Sequence, residues 1–231
     1  MSAAQLRFVA WSDYLCPWCA NASLRLHRVE KEFPEIEIEW RSYLLRPRQR
    51  PRPSSELEAA EQLEKFRHYA RSWARPAQEA DAPVFRQWES DASPPSHSMP
   101  AQVVGKAALR VGRREFRALH QRLMSAYFTE NRDISNAGEL RALWSDVGIK
   151  DEAFPVVDDP ELVEVVAQDH AEALELGVTG VPAVMRIGND AVVVGAQPLD
   201  TYRRWVERSL ERDGPDPRPP SVRNDEGGRE S

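Results

Sequence analysis

Apolar positions along the chain change period several times, and each change marks an element. In LRFVAWS at 6–12, apolar and polar residues alternate over a length that suits a β-strand. Beyond residue 16 the period becomes helical, with Cys19, Ala22, Leu26, Val29 and Phe33 recurring on one face. Pro17 suits the first helical position, where its missing N–H costs nothing, and Pro34 stops the run. IEIEWRSYLL at 36–45 alternates again. The chain therefore opens as strand, helix, strand.

From residue 49 to 157 the pattern predicts helices and loops inserted into a larger fold. One helix is expected over 54–73, capped by Ser55, with Leu57, Ala60, Leu63 or Glu64, and Phe66 in phase. A Pro/Ser-rich break at 89–100 precedes two more, at 101–112 and 114–128. A further helix is expected over 136–148, where Asn136 stands three residues before Glu139 in a capping-box spacing. The α/β pattern resumes at 158 with a helix bounded by Asp159-Pro160 and Gly177. Two β-rich runs, 181–187 and 191–196, flank a GND turn and predict a hairpin. A helix over 198–210 follows. The polar, Pro- and Gly-rich residues 212–231 read as a disordered tail.

Composition narrows the possibilities. A net charge of −6 gives no general reason to expect nucleic-acid binding. The RPRQRPRP run at 46–53 is a local exception, read as a solvated, proline-stiffened linker. No apolar run approaches the roughly 20 residues needed to cross a bilayer, so no membrane association is expected. MSAAQLRFVAWSDY has no basic leader followed by an apolar segment, which predicts a cytoplasmic protein. Thiols in that compartment are kept reduced, which disfavours a structural disulfide and permits a catalytic one.

All the thiol of the chain lies in CPWC, at Cys16 and Cys19. Three readings compete: a redox pair, half of a metal site, and two packed thiols. Zinc normally takes four ligands, and neither a second cysteine pair nor a ligand spacing among His27, His68, His97, His120 and His170 supplies the others. No metal is therefore expected. Strand, Cys-x-x-Cys and helix in that order is the context of a redox motif. Cys16 would sit at the helix N-terminus, where free N–H groups and the helix dipole favour a thiolate. Cys19, one turn inside and on the apolar face, would be shielded. That asymmetry makes Cys16 the expected nucleophile and Cys19 the resolving thiol. Trp18 adds shielding and one N–H donor but no charge.

CPWC after the first strand, GVTGVPAV at 177–184 and GAQP at 195–198 resemble the DsbA-like thioredoxin-fold oxidoreductases. WRSYLLRP at 40–47 and AYFTENRDIS at 126–135 are similar to the FrnE-type branch, so the likeness spans nearly the whole globular part. The resemblance implies an α/β, thioredoxin-like fold split into 1–48 and 158–211 by a large all-helical insertion. It also implies a cis Pro182 opposite the cysteines, with Val181 backbone groups free to pair with an extended substrate. The activity implied is thiol–disulfide exchange on a protein or small-molecule substrate, without a cofactor beyond the redox pair. Glutathione is a candidate reductant, and the recycling partner is unspecified. Two departures stand out: CPWCANA replaces the frequent CPWCYIG, and the second cysteine pair of some relatives is missing.

Val181, Pro182, Trp18 and Tyr14 are the expected substrate contacts, with Pro17 and Thr179 as neighbours of the thiols. Asp13 reads as a turn residue and His27 as a surface residue. Phe66, Tyr69, Trp73, Phe85 and Trp88 could line a cleft, but helical spacing favours the insertion's own core. Two other functions fit the same scaffold. One is a glutathione-dependent isomerase or transferase resembling kappa-class transferases or hydroxychromene-carboxylate isomerases, which usually carry serine where Cys16 stands. The other is a redox-sensing, peptide-binding module.

Overall fold

The computed structural model describes residues 6–189 and 191–213. Its strands are β1 (Leu6–Ser12), β2 (Ile36–Ser42), β3 (Ala183–Arg186) and β4 (Val192–Val194). Its α-helices are α1 (Pro17–Glu32), α2 (Glu56–Ala70), α3 (Met99–Val111), α4 (Arg113–Phe128), α5 (Ala137–Asp146), α6 (Pro160–Glu175) and α7 (Leu199–Asp213). The four strands form one sheet in the order β2-β1-β3-β4. β1 pairs parallel to β2, from Leu6 opposite Ile36 to Ser12 opposite Ser42, and antiparallel to β3, with Trp11 opposite Ala183. β3 and β4 form the expected antiparallel hairpin. This is the mixed α/β fold with a helical insertion that the pattern implies.

β1 is the central strand and is buried on both faces, with only Arg7 exposed. Leu6, Phe8 and Ala10 join the cluster that holds Leu26 and Val29 of α1 and Tyr202 and Val206 of α7. Phe8 also meets Trp205 edge to face at 5.2 Å. Val9 and Trp11 point the other way, onto Tyr43, Ala173, Val178 and Ala183. Each fully buried large side chain contributes roughly 1.5–3 kcal/mol, so a strand with two apolar faces is firmly held. The loop after it inherits that rigidity.

The insertion does not stand apart. Phe66, Trp73, Trp88, Tyr127 and Phe128 pack as a ring cluster, with Phe66 and Trp88 centroids 5.0 Å apart, and belong to the same apolar core as Cys16 and Cys19. These side chains form core, as helical spacing suggests, except that Tyr69 stays 46 % exposed. Arg25 of α1 ties the insertion down through Asp81 and Glu79, and its remaining branch donates to Gln197 O at 2.9 Å.

Several expectations need correction. Leu57 is 72 % exposed: among the described residues α2 buries only Phe66 and Ala70, near its C-terminal end, and its first turns stay open. Asn136 caps α5 by accepting from Gly138 N and Glu139 N, but the Glu139 carboxylate bonds Arg132 instead of closing a capping box. β2 ends at Ser42; beyond it Tyr43 N still donates to Ser12 O, and Leu45 N then donates to the Asp13 carboxylate in the loop after β1. The tail placed at 212 begins inside α7, and 214–231 lie outside the described residues. His27 is buried, not on the surface, against Trp40 and His120.

Candidate active site

β1 delivers the chain to the site, and a short turn converts it into α1. The turn is built on Asp13, whose buried carboxylate accepts from Leu15 N at 2.8 Å, Leu45 N at 2.6 Å and Ser98 Oγ at 2.6 Å. Asp13 O in turn accepts from Cys16 N at 3.1 Å. Burial raises the Asp13 carboxyl above the ordinary carboxylate range, opposed by those three donors. Asp13 is thus structural, as a turn residue should be. It fastens the cysteine loop to the chain after β2 and to the start of α3.

Cys16 is the N-cap of α1, with extended φ and ψ of −96° and 114°, and Pro17 takes the first helical position. Its Sγ accepts the amide of Cys19 at 3.3 Å and lies 3.3 Å from Val181 O, to which the thiol donates. A helix N-terminus leaves its first amides without intrahelical partners, and one of them has been aimed at sulfur. Cys19, one turn on, is 1 % exposed, and Cys16 itself only 4 %. Burial pushes the Cys19 thiol well up, and the neighbouring Cys16 sulfur adds to the effect. The Ser12 side chain and the Asp13 backbone pull the other way without offsetting it. Both sulfurs are unbridged. The two cysteines therefore differ chemically: one is served by an amide donor, and the other is held as a thiol.

The Val181–Pro182 peptide bond is cis, as expected, with Pro182 buried and Val181 half-buried. Gly195 N donates to Pro182 O at 2.7 Å, which fixes the loop against the hairpin. Trp18 and Pro17 are half-buried beside the sulfurs in sequence, while Thr179 is exposed on the loop before Val181. Tyr14 is a correction. Its ring is 3 % exposed and its hydroxyl pairs with His120 Nδ1 at 3.1 Å, so it faces the core and not a substrate. The glycine at 105 leaves room for it.

Sequence reasoning missed Arg46 and set Tyr69, named as a possible cleft residue, in the insertion's core. The charge of Cys16 raises the Tyr69 hydroxyl, after burial, and Arg46 lowers it, which brings all three into one electrostatic neighbourhood. The signal for Arg46 was present in RPRQRPRP, but its proximity to the cysteines depends on the Asp13–Leu45 bond, which no local pattern shows. Among the described residues, no group of three or more His, Cys, Asp or Glu is placed to hold a metal ion. No described helix is long and apolar enough to cross a membrane.

A strand running into a Cys-x-x-Cys helix start, faced by a cis-proline loop, is matched by a family model described as a DSBA-like thioredoxin domain, over residues 7–207. The chain belongs to the DSBA-like thioredoxin domain family. Solved structures repeat the DSBA-like fold. The cytosolic disulfide reductase DsbM from Pseudomonas aeruginosa is similar with a TM-score of 0.71 and 22 % identity, over 90 % of this chain and 100 % of that one. The same protein with GSH gives 0.69 and 21 %, over 89 % and 100 %. A periplasmic thioredoxin-like protein from Salmonella enterica serovar Typhimurium gives 0.56 and 19 %, over 91 % and 88 %. No curated protein matches the sequence.

Proposed function

We propose that this protein is a cytoplasmic thiol–disulfide oxidoreductase of the FrnE-type branch, acting through Cys16 and Cys19 on a protein or small-molecule disulfide. The observation that carries the reading is the Cys16 sulfur, held between the Cys19 amide and the Val181 carbonyl. Cys16, as thiolate, attacks one sulfur of the substrate disulfide, and the other sulfur leaves with the electron pair and takes a proton. Cys19 then gives up its proton and attacks Cys16 Sγ. The Cys16–substrate bond breaks, the second substrate thiol departs, and a Cys16–Cys19 disulfide remains. Two electrons have passed from the protein to the substrate. The reverse sequence oxidises a dithiol.

The order of events follows from the site. Cys19 keeps its proton partly because of the Cys16 sulfur, and conversion of Cys16 to a mixed disulfide removes that charge. Resolution is thereby favoured after attack and not before it. Val181 and Pro182 border the sulfur, where backbone groups of the loop can pair with an extended substrate, and the half-buried Trp18 and Pro17 adjoin Cys16 in sequence. No cofactor beyond the cysteine pair is needed. Glutathione is a reasonable reductant, a choice supported by the GSH-bound DsbM relative. The cytoplasmic placement rests on the sparse, paired cysteines and on the likeness to a cytosolic reductase.

Reduction of insulin and reoxidation of scrambled ribonuclease test the proposal. Cys16→Ser should lose turnover on the order of a thousandfold or more, and Cys19→Ser should accumulate a substrate-linked mixed disulfide visible by mass. Turnover surviving in Cys16→Ser would overturn the reading.

A further inference from the structure

The run at 46–53 does not behave as a free linker. Arg46 exchanges backbone and side-chain bonds with Ser98, donating to Ser98 Oγ at 3.1 Å and accepting from Ser98 N at 3.0 Å. Its guanidinium is steadied by Pro95 O at 2.9 Å. Arg50 donates its amide to Ser96 O at 3.2 Å, and its guanidinium lies 5.8 Å above the Phe66 ring. Both side chains are half-buried, and neither makes an ion pair among the described residues. They face a groove of about 550 Å³ together with Lys65, Tyr69 and Glu58. Glu58 is already engaged by Ser54 N and Oγ, and Lys65 approaches Glu61 only at 3.8 Å.

Two guanidiniums are therefore close enough to repel, since Arg46 lowers the Arg50 pKa in addition to burial, and the Asp13 carboxylate that feels Arg46 is already engaged by three donors. Guanidinium groups in this condition are relieved by carboxylates, which they bind with two parallel donors. The groove lies near the cysteine loop: Leu45, the residue before Arg46, donates to the Asp13 carboxylate three residues ahead of Cys16, and Tyr69 in its lining feels the Cys16 charge. Past Arg50 it continues into a second groove of about 670 Å³ that shares Arg50, Pro51 and Gln62. Each is of the size that takes a drug-sized ligand, roughly 300–1,000 Å³. In sequence they suit an extended chain better than one small molecule.

We propose that Arg46 and Arg50 form a specificity subsite that binds acidic residues flanking the reactive cysteine of a polypeptide substrate. This rests on the proposed disulfide exchange for its purpose, but binding can be measured without it. The substrate's cysteine would lie at Cys16 and Val181, and its carboxylates would run along the Arg46–Arg50 groove.

Two synthetic peptide disulfides, alike except for Glu or Gln at the flanking positions, provide the test. The intact protein should reduce the acidic peptide roughly tenfold more efficiently in kcat/KM, and the ratio should shrink as salt is raised. In Arg46→Gln/Arg50→Gln the ratio should fall to about one, whereas Arg50→Lys, which keeps the charge and loses the paired donors, should keep only part of it. Equal rates for the two peptides, or a ratio that survives the double substitution, would overturn the subsite. If neither peptide reacts, the exchange reading fails alone, and Cys16→Ser/Cys19→Ser protein still decides the subsite by fluorescence titration with the Ser forms of the peptides. Tighter binding of the Glu peptide, lost with both arginines, supports it, and equal binding overturns it. A preference confined to glutathione disulfide, absent with both peptides, would also overturn it in favour of a small thiol.

Discussion

Asp13 shows how much one side chain can do at the edge of a redox site. Three donors from three parts of the chain converge on its two oxygens, and the desolvated carboxylate is tolerated only because they do. Replacing it by Ala leaves two amides and a hydroxyl short of a partner, so Asp13→Ala should cost about 2–3 kcal/mol in urea unfolding at pH 7. A loss below about 0.5 kcal/mol would show that the staple is slack. At this scale the sequence disclosed the cysteines and their different roles, since Cys-x-x-Cys at a helix start carries its own physics. It disclosed less about Tyr14. An aromatic beside the motif reads as a substrate contact, yet partners 91 or more positions away, Gly105 and His120, draw it inward.

Helix and strand periodicity read the elements well because most have a single buried face. Cys19, Ala22, Leu26 and Val29 all lie buried on α1, and Asp159 and Ser55 cap the helices they precede. The method failed where burial comes from outside the element. α2 presents Leu57 to solvent, and His27, off the apolar stripe of α1, is covered by β2 and α4. Gly105 in α3 is a sharper case. Helix propensity alone predicts that Gly105→Ala gains about 1 kcal/mol. A Cβ there would meet Tyr14 Oη at 2.6 Å, and that hydroxyl is held by His120. Overpacking of this kind costs roughly 1–3 kcal/mol, so a net loss of about 1 kcal/mol is expected in thermal or urea unfolding. Adding Tyr14→Phe removes the obstructing atom and should recover the loss. A stabilised single variant would refute the contact.

For the whole molecule, the insertion and the sheet share one apolar core, and His120 lies within it. Its Nδ1 faces Tyr14 Oη, its Nε2 faces Ser23 Oγ at 2.8 Å, and burial with neighbouring His27 holds its pKa well below 6.5. An unfolded histidine takes up its proton near pH 6.5, but folded His120 does not. The unfolded chain thus binds more protons below that pH. Stability from this group is complete above about pH 6.5 and falls, by up to about 1.4 kcal/mol per unit, as pH drops from there. Unfolding free energies between pH 7 and 5 should show a shallower slope in His120→Gln; an identical slope would exclude His120 as the source. No pairing of histidines was legible in the sequence, because α1 and α4 meet only in the folded chain. The same long-range construction bears on biosynthesis. Cys16 and the Val181 carbonyl that meets its sulfur are 165 residues apart. At about 5–20 residues per second, a ribosome adds the thiol roughly eight to thirty seconds before its counterpart. A nascent chain therefore carries both sulfurs through that interval with neither the proline loop nor the β3–β4 hairpin to screen them, and the reactive centre is completed only when the distant segment has been added.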